Sequence, residues 1–271
     1  MPTTKLKELA EMPDLLSGGH AACPGCVGPI VLRQILLAAQ QDDVMIVGSI
    51  ATGCMEVSTT VYPNSAWRIP MVHSAFENSA ATISGAEAAY RSLKRQGKID
   101  RDIRFIALGG DGGTYDIGLQ SLSGSLERGH NFTYICYDNE AYMNTGIQRS
   151  SATPKGAFTT TAQAGKVAAG KEQVKKDLTA ICAAHDIPYV AQASPHRARD
   201  FLKKVQKAIA TDGPCFIAVI SPCPRGWRYE PAQGIQMCKL AAETCVWPIY
   251  EIENGKLSVS YKPKEKKPVR E

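Results

Sequence analysis

Residues 109–146, GGDGGTYDIGLQSLSGSLERGHNFTYICYDNEAYMNTG, constrain the fold of this chain more than any other stretch. A carboxylate, Asp111, stands between glycines directly after the apolar run 105–108, and a second apolar run, 132–137, ends at Asp138 and Asn139. Between them residues 115–128 read as a helix, with Ile117, Leu119, Leu122 and Leu126 on roughly one side. Strand, glycine turn, helix, strand is a βαβ unit, and it predicts an α/β fold with a mostly parallel sheet flanked by helices. Both polar ends then emerge at the carboxyl ends of neighbouring strands, where open α/β sheets bind ligands.

The residue types at those ends suit a metal-bridged diphosphate. Mg²⁺ takes oxygen ligands, one or two from protein and the rest from phosphate and water. Asp111 offers a carboxylate, Asn139 an amide oxygen, and the bulge after Asn139 the backbone carbonyl of Ala141. Gly110, Gly112 and Gly113 let backbone N–H groups approach phosphate oxygens with no Cβ in the way. Alone, GDG is equally a tight turn; the matched Asn at the far end of a βαβ unit gives it weight. The pattern resembles the diphosphate and magnesium motif of thiamine diphosphate enzymes, with one departure. Asp138-Asn139 stands where many of them have Asn-Asn, and since the second Asn usually carries the metal contact, the metal site is expected to survive.

Along the rest of the chain, residues 1–22 form a polar lead-in with a short amphipathic piece at 6–16. A helix is expected over 27–41, a buried strand over 44–47 ending in the small-residue loop GSIATGC, an irregular stretch over 55–74, and a helix over 77–96. Residues 147–170 lack periodicity and read as a long loop of the functional kind. Helices at 175–185 and 196–210 alternate with strands at 189–192 and 215–220. Residues 221–271 read as a carboxyl-terminal extension: the proline-punctuated SPCPRGWRYEP, a helix over 232–245, a hairpin turning at Asn254-Gly255, and a basic tail. No internal repeat or interior linker appears in the 271 residues, so a single domain is expected.

Nine cysteines without an apolar export signal point to a reducing, cytoplasmic setting and to metal ligands or buried thiols rather than disulfides. No run of about 20 apolar residues is present, so no membrane span is expected. Four cysteines fall where one site could be assembled: Cys23 and Cys26 in CPGC, Cys54 in the turn after the first strand, and Cys223 in the turn after the last parallel one. Four thiolates make either a zinc site or an iron–sulfur cluster. Cys238 and Cys245, seven apart in a helical pattern, compete with Cys223, whereas Cys136, Cys182 and Cys215 read as structural. A thioredoxin-like reading of CPGC wants a strand before Cys23, and none is expected there.

Taken together, CPGC (23–26), ATGC (51–54), the 109–130 block, YDNEAYMNTGIQRSSATPKGA (137–157) and SPCPRGW (221–227) resemble the β subunits of the multi-subunit 2-oxoacid:ferredoxin oxidoreductases, among them pyruvate:ferredoxin oxidoreductase. The resemblance covers nearly the whole chain. It implies thiamine diphosphate with Mg²⁺ held by Asp111, Asn139 and the Ala141 carbonyl, and a [4Fe–4S] cluster on Cys23, Cys26, Cys54 and Cys223. It also implies a polar role for Asn144 near the thiazolium and substrate. The implied reaction decarboxylates a 2-oxoacid, passes electrons singly through the cluster to ferredoxin, and hands the acyl group to coenzyme A. The resemblance further implies an α subunit supplying the carboxylate that activates the aminopyrimidine, and ferredoxin-like γ and δ subunits carrying further clusters. The loop QRSSATPKGA inclines the substrate toward pyruvate over branched-chain, aromatic or other 2-oxoacids.

Other residues are weighed on their surroundings. His73, near the active-site edge, is a candidate for substrate or phosphate contact, and Thr52 and Gly53 for lining the cofactor. Arg149 and Ser150 are placed to meet a carboxylate or a partner; Trp227 and Tyr229 would shield a cluster or pack. The formal charge of +5 is modest and part of it sits in the tail 262–271, too little for a nucleic-acid surface.

Overall fold

The computed structural model describes residues 4–40 and 44–269. Its strands are β1 (Val44–Ala51), β2 (Met71–Ser74), β3 (Asp102–Gly110), β4 (Thr133–Asp138), β5 (Tyr189–Ala193), β6 (Cys215–Ile220), β7 (Ile249–Glu253) and β8 (Lys256–Tyr261). They form one sheet in the order β2-β1-β3-β4-β6-β5-β7-β8. The six strands β1 to β6 pair in parallel, and the hairpin β7–β8 extends the sheet antiparallel from β5. Every residue of β4, β5 and β6 is buried, so their largely apolar runs, rather than an alternation, are what a strand covered on both faces requires.

The helices are α1 (Leu6–Glu11), α2 (Gly28–Ala39), α3 (Cys54–Thr59), α4 (Ser79–Arg95), α5 (Leu119–Glu127), α6 (Leu178–Ala183), α7 (Ala198–Ala210), α8 (Pro224–Trp227) and α9 (Gly234–Glu243). α2 packs on α7, while α4 lies against β1, β3 and α5. The small residues of α4 make that close approach possible: Ser79, Ala80, Ile83 and Ser84 are all buried. The buried Glu87 on the same helix is matched by Arg91 at 2.9 Å and His130 at 2.8 Å.

Four of the parallel strands, β1, β3, β4 and β6, are consecutive in the sheet. Their carboxyl ends therefore set the turns at residues 52–54, 111–113, 139–141 and 221–223 side by side. The βαβ unit, the hairpin and the loop after β4 lie where the sequence places them. The Asn254-Gly255 turn has φ of 48° and 76°, as a two-residue primed turn demands.

The differences are local. The helix expected over 115–128 is two pieces, a π-helical turn at Gly112–Ile117 and then α5. Its closing bond runs from Gly118 N–H to the Gly113 carbonyl at 2.7 Å, a wider ring than α-helical spacing gives. Residues 55–74 are not irregular: they hold α3 and the edge strand β2, which proline and aromatic punctuation had disguised. The first strand continues past Val47 to Ala51. The helix expected from 175 begins only at Leu178, where Asp177 caps it by accepting from Ala180 N–H at 2.9 Å. The helix expected to reach Cys245 ends at Glu243. Gln41, at the end of the expected second helix, and the last two residues of the basic tail lie outside the described residues.

A Cβ at Gly118 would stand 2.3 Å from the Gly113 carbonyl oxygen and 2.9 Å from that of Glu77, both backbone atoms. Gly118→Ala is expected to lower stability by about 1–3 kcal/mol, the range for overpacking, as read by thermal unfolding.

Candidate functional site

The turn after β4 is shaped by Glu140, whose left-handed φ of 71° is uncommon for a residue with a side chain. Three contacts hold it there. Its N–H donates to Asp138 Oδ1 at 3.0 Å, its carbonyl accepts from the Thr153 hydroxyl at 2.5 Å, and its carboxylate meets Lys175 Nζ at 3.0 Å. The turn brings the Ala141 carbonyl back beside the Asn139 side chain, opposite Asp111. One atom of the Asn139 amide lies 2.9 Å from Asp111 Oδ1 and 2.8 Å from the Ala141 oxygen. With nitrogen in that position the amide donates to both, and the turn is satisfied without a cation. With oxygen there, it stands 2.9 Å from Asp111 Oδ1 and 2.8 Å from the Ala141 oxygen, close to the about 3 Å between adjacent corners of an Mg²⁺ octahedron with bonds of about 2.1 Å.

Asp111 is 1% exposed, and its two oxygens are otherwise partnered: Oδ1 accepts from Asn139 N–H at 3.2 Å, Oδ2 from the Ser150 hydroxyl at 2.5 Å. Burial, and then the neighbouring Asp138, push its carboxyl well above the ordinary range, against the pull of Ser150, Lys175 and the Asn139 N–H. A divalent cation is the natural replacement for the proton this favours. Ser150, expected to meet a carboxylate, thus meets the chain's own; Arg149 is exposed.

Asp138 is wholly buried behind this turn. Its Oδ2 accepts from the Tyr115 hydroxyl at 2.8 Å and pairs with Lys175 Nζ at 2.8 Å. Burial presses the Lys175 ammonium down, but Asp138 and Glu140 together hold it above its usual range, so it stays a cation. Lys175 reaches in from the long loop, and nothing in its sequence surroundings marked it.

One pocket at this edge is lined by Thr52, Gly53, Cys54, the run 110–113, Asn139 and Ala141, with Asn144 and its neighbours at the rim. Asn144 is exposed at the tip of a turn closed by Tyr142 N–H to the Gln148 carbonyl at 2.9 Å. His73 lies on the edge strand β2 and reaches the pocket only through Thr52, whose hydroxyl is 2.8 Å from His73 Nε2. Its other nitrogen, Nδ1, is 3.3 Å from the buried Glu56, a residue the sequence reading passed over. Lying on α3, which the sequence did not reveal, Glu56 had no visible neighbour.

Beside the pocket the four expected cysteines, on three turns, lie near enough to feel one another's charge. Burial pushes the Cys26 thiol up to about 11, with Cys223 and Cys23 adding to it against the Gly28 N–H. Burial pushes Cys54 up to about 12, and Cys26, Cys223, Asp111 and Cys23 add their fields. The CPGC turn packs on the segment after Cys223. Gly25 has φ of +74°, and a Cβ there would stand 2.3 Å from the Pro231 carbonyl oxygen. The Cys223 sulfur accepts from Gly226 N–H at 3.4 Å, and Trp227 Nε1–H donates to the Asn139 carbonyl at 2.9 Å, so the cysteine turn is tied to the oxygen turn. Cys245 sits beyond α9, exposed, at φ 59°, and Cys238 is fully buried, so the two do not share a helical face. Cys136, Cys182 and Cys215 are buried as expected. Among the described residues, no three His, Cys, Asp or Glu side chains are placed to hold a single metal ion.

Comparison with known proteins bears on this geometry. Residues 51–219 match the family model described as "Thiamine pyrophosphate enzyme, C-terminal TPP binding domain". The chain is 55% identical to pyruvate synthase subunit PorB of Methanocaldococcus jannaschii over 93% of its own length and 85% of that protein's. The chain belongs to the PorB family of thiamine pyrophosphate enzymes. It is also similar to ketoisovalerate oxidoreductase subunit VorB of Pyrococcus abyssi, at 44% identity over 93% of this chain and 81% of that protein. The fold is that of the 2-oxoglutarate:ferredoxin oxidoreductase from Magnetococcus marinus, with a TM-score of 0.65, 18% identity and coverage of 84% and 81%. Among the described residues, no helix of this PorB family member is long and apolar enough to cross a membrane.

Among the described residues, Lys175 supplies the only cation on Asp138, which is fully buried. Lys175→Met is expected to cost on the order of 3 kcal/mol, since it strands buried carboxylates without a counter-charge. Denaturant unfolding of the variant against the wild type measures it.

Proposed function

We propose that the chain is the β subunit of pyruvate:ferredoxin oxidoreductase, holding thiamine diphosphate through Mg²⁺ and, next to it, a [4Fe–4S] cluster. The observation that carries this is a single pocket lined both by Cys54 and by Asp111, Asn139 and Ala141. A thiolate site sharing a wall with a diphosphate site has a use only where decarboxylation is coupled to electron removal. When bound, thiamine diphosphate would act as the electron sink for the loss of CO₂ from a 2-oxoacid, Mg²⁺ would neutralise its phosphates, and the cluster would take electrons one at a time.

The chain's own residues have separate tasks in this reading. Asp111, Asn139 and the Ala141 carbonyl hold Mg²⁺, while the N–H groups of Gly110, Gly112 and Gly113 face the diphosphate. Cys23, Cys26, Cys54 and Cys223 hold the cluster. The alternative, a zinc site, would gather the same four thiolates around one ion, each sulfur about 2.3 Å from it, and metal analysis separates it from a cluster. Thr52, held by His73 and through it by Glu56, presents a hydroxyl at the pocket wall; His73 then acts through Thr52 rather than on substrate. Asn144 at the rim is the polar group for the substrate side. Because Asn144 is exposed, a partner chain completes that wall, in keeping with an α subunit that brings the pyrimidine-side carboxylate and much of the substrate pocket. Coenzyme A, external ferredoxin and ferredoxin-like γ and δ subunits complete the assembly in this proposal. The VorB relative makes a branched-chain 2-oxoacid the competing substrate, and assay of the complex against both acids separates the two.

The test is anaerobic analysis of the complex purified through this chain. About four irons and four sulfides assignable to this subunit, with one thiamine, are expected. Zinc without thiamine overturns the proposal. Asp111→Ala is expected to weaken magnesium-dependent thiamine diphosphate binding by at least about 10–100-fold with the cluster spectrum intact, since even outer partners of a metal site are worth that much. Cys223→Ser is expected to lose the cluster where Cys245→Ser keeps it; the reverse result reassigns the fourth ligand.

A further inference from the structure

Tyr137, next to last in β4, is 2% exposed, yet its hydroxyl has no hydrogen-bond partner. A buried donor without a partner is unfavourable, and a side chain that carries one beside a ligand pocket is a candidate for bonding what occupies it. The surroundings of this hydroxyl are specific. A Cβ on Gly53 would stand 2.8 Å from the Tyr137 oxygen, and a Cβ on Gly110 would stand 3.1 Å from ring atom Cε2. Gly53 precedes Cys54, and Gly110 precedes Asp111. One ring therefore fills the space between the cysteine turn after β1 and the carboxylate turn after β3, and both turns have glycine where the ring touches them.

The hydroxyl ends on the cysteine side. Gly53 lies against it, and the Met55 N–H, the peptide group just beyond Cys54, is near the phenol oxygen without completing a hydrogen bond. The O–H proton is left without an acceptor. The Cys54 sulfur is the natural acceptor, but as a neutral thiol it accepts weakly; as a metal-bound thiolate it carries the charge that a donor needs.

We propose that the Tyr137 hydroxyl donates a hydrogen bond to the Cys54 sulfur when that sulfur is a ligand of the iron–sulfur cluster, and so raises the cluster's reduction potential. This rests on the cluster reading above. Hydrogen bonds to cluster sulfurs are among the determinants of potential, and a donor favours the reduced form because that form holds more negative charge. Tyr137 is thus a positioning residue whose ring spaces the two cofactor turns and whose hydroxyl tunes the electron acceptor.

Tyr137→Phe removes only the hydroxyl and keeps the packed ring. The purified complex carrying it is compared with wild type by iron content, thiamine diphosphate affinity, and redox titration followed by electron paramagnetic resonance. Loss of one signal in Cys223→Ser complexes identifies the cluster concerned. Unchanged iron and thiamine diphosphate affinity are expected, with the midpoint potential moved to more negative values and one exchangeable-proton coupling missing from the reduced cluster. An unchanged potential on an intact cluster overturns the inference while leaving the cluster reading in place. A several-fold loss of thiamine diphosphate affinity at unchanged potential also overturns it, and puts the hydroxyl on a phosphate instead. Wild-type complex with no iron at these cysteines overturns the cluster reading and this inference together.

Discussion

Two buried carboxylates at the ends of adjacent strands, Asp111 after β3 and Asp138 in β4, repel one another, and much of the surrounding structure answers that repulsion. Carboxylates in such positions either take up a proton or acquire a cation. The chain gives Asp138 the ammonium of Lys175 and the hydroxyl of Tyr115, and gives Asp111 only neutral donors, Ser150 and a backbone N–H. Asp138 is neutralised from within, whereas the side-chain and backbone donors on Asp111 are neutral. Lys175 also holds the Glu140 carboxylate, so the residue that settles Asp138 fixes the left-handed turn on which Asn139 and Ala141 depend.

The sheet then brings unlike chemistry into contact. Because β1, β3, β4 and β6 are consecutive, a sulfur-bearing turn lies at each side of the two oxygen-bearing turns. Neighbouring strands are about 4.8 Å apart, so groups carried by adjacent turns are within direct electrostatic reach. The field of Asp111 at Cys54 is one sign of this, and the Trp227 bond to the Asn139 carbonyl is another. The carboxyl-terminal segment after β6 does more than extend the chain: it seats CPGC through Pro231 and braces the turn after β4 through Trp227.

How much of this the sequence disclosed depends on the range of the interaction concerned. The βαβ unit, the NG hairpin and the ligand turns are local patterns, and each lies where periodicity and turn chemistry put it. The aspartate at 138, in place of the Asn common in such motifs, was visible as a departure; its reason was not, because its partner Lys175 is far along the chain and stood at the start of an expected helix, with nothing to direct it to Asp138. Tyr137 was hidden differently. Within an apolar strand an aromatic residue reads as core, and only its neighbours across the sheet distinguish a packed ring from one that presents a hydroxyl to a pocket. The strand β2 and helix α3 were missed because Pro63, Trp67 and Pro70 look like loop punctuation, and with them went the Glu56–His73–Thr52 arrangement.

The dependence of both turns on residues far along the chain has a consequence for biosynthesis. Synthesis runs from the amino terminus, and domains assemble as their segments appear. When residues 109–141 have left the ribosome, Lys175 and Trp227 have not yet been made, so the Asp138 carboxylate has no counter-ion and the Asn139 carbonyl has no brace. Cys23, Cys26 and Cys54 emerge early, and Cys223, which lies near them in the folded chain, only after most of translation. A chain built this way completes this edge of its sheet only at the end of its synthesis.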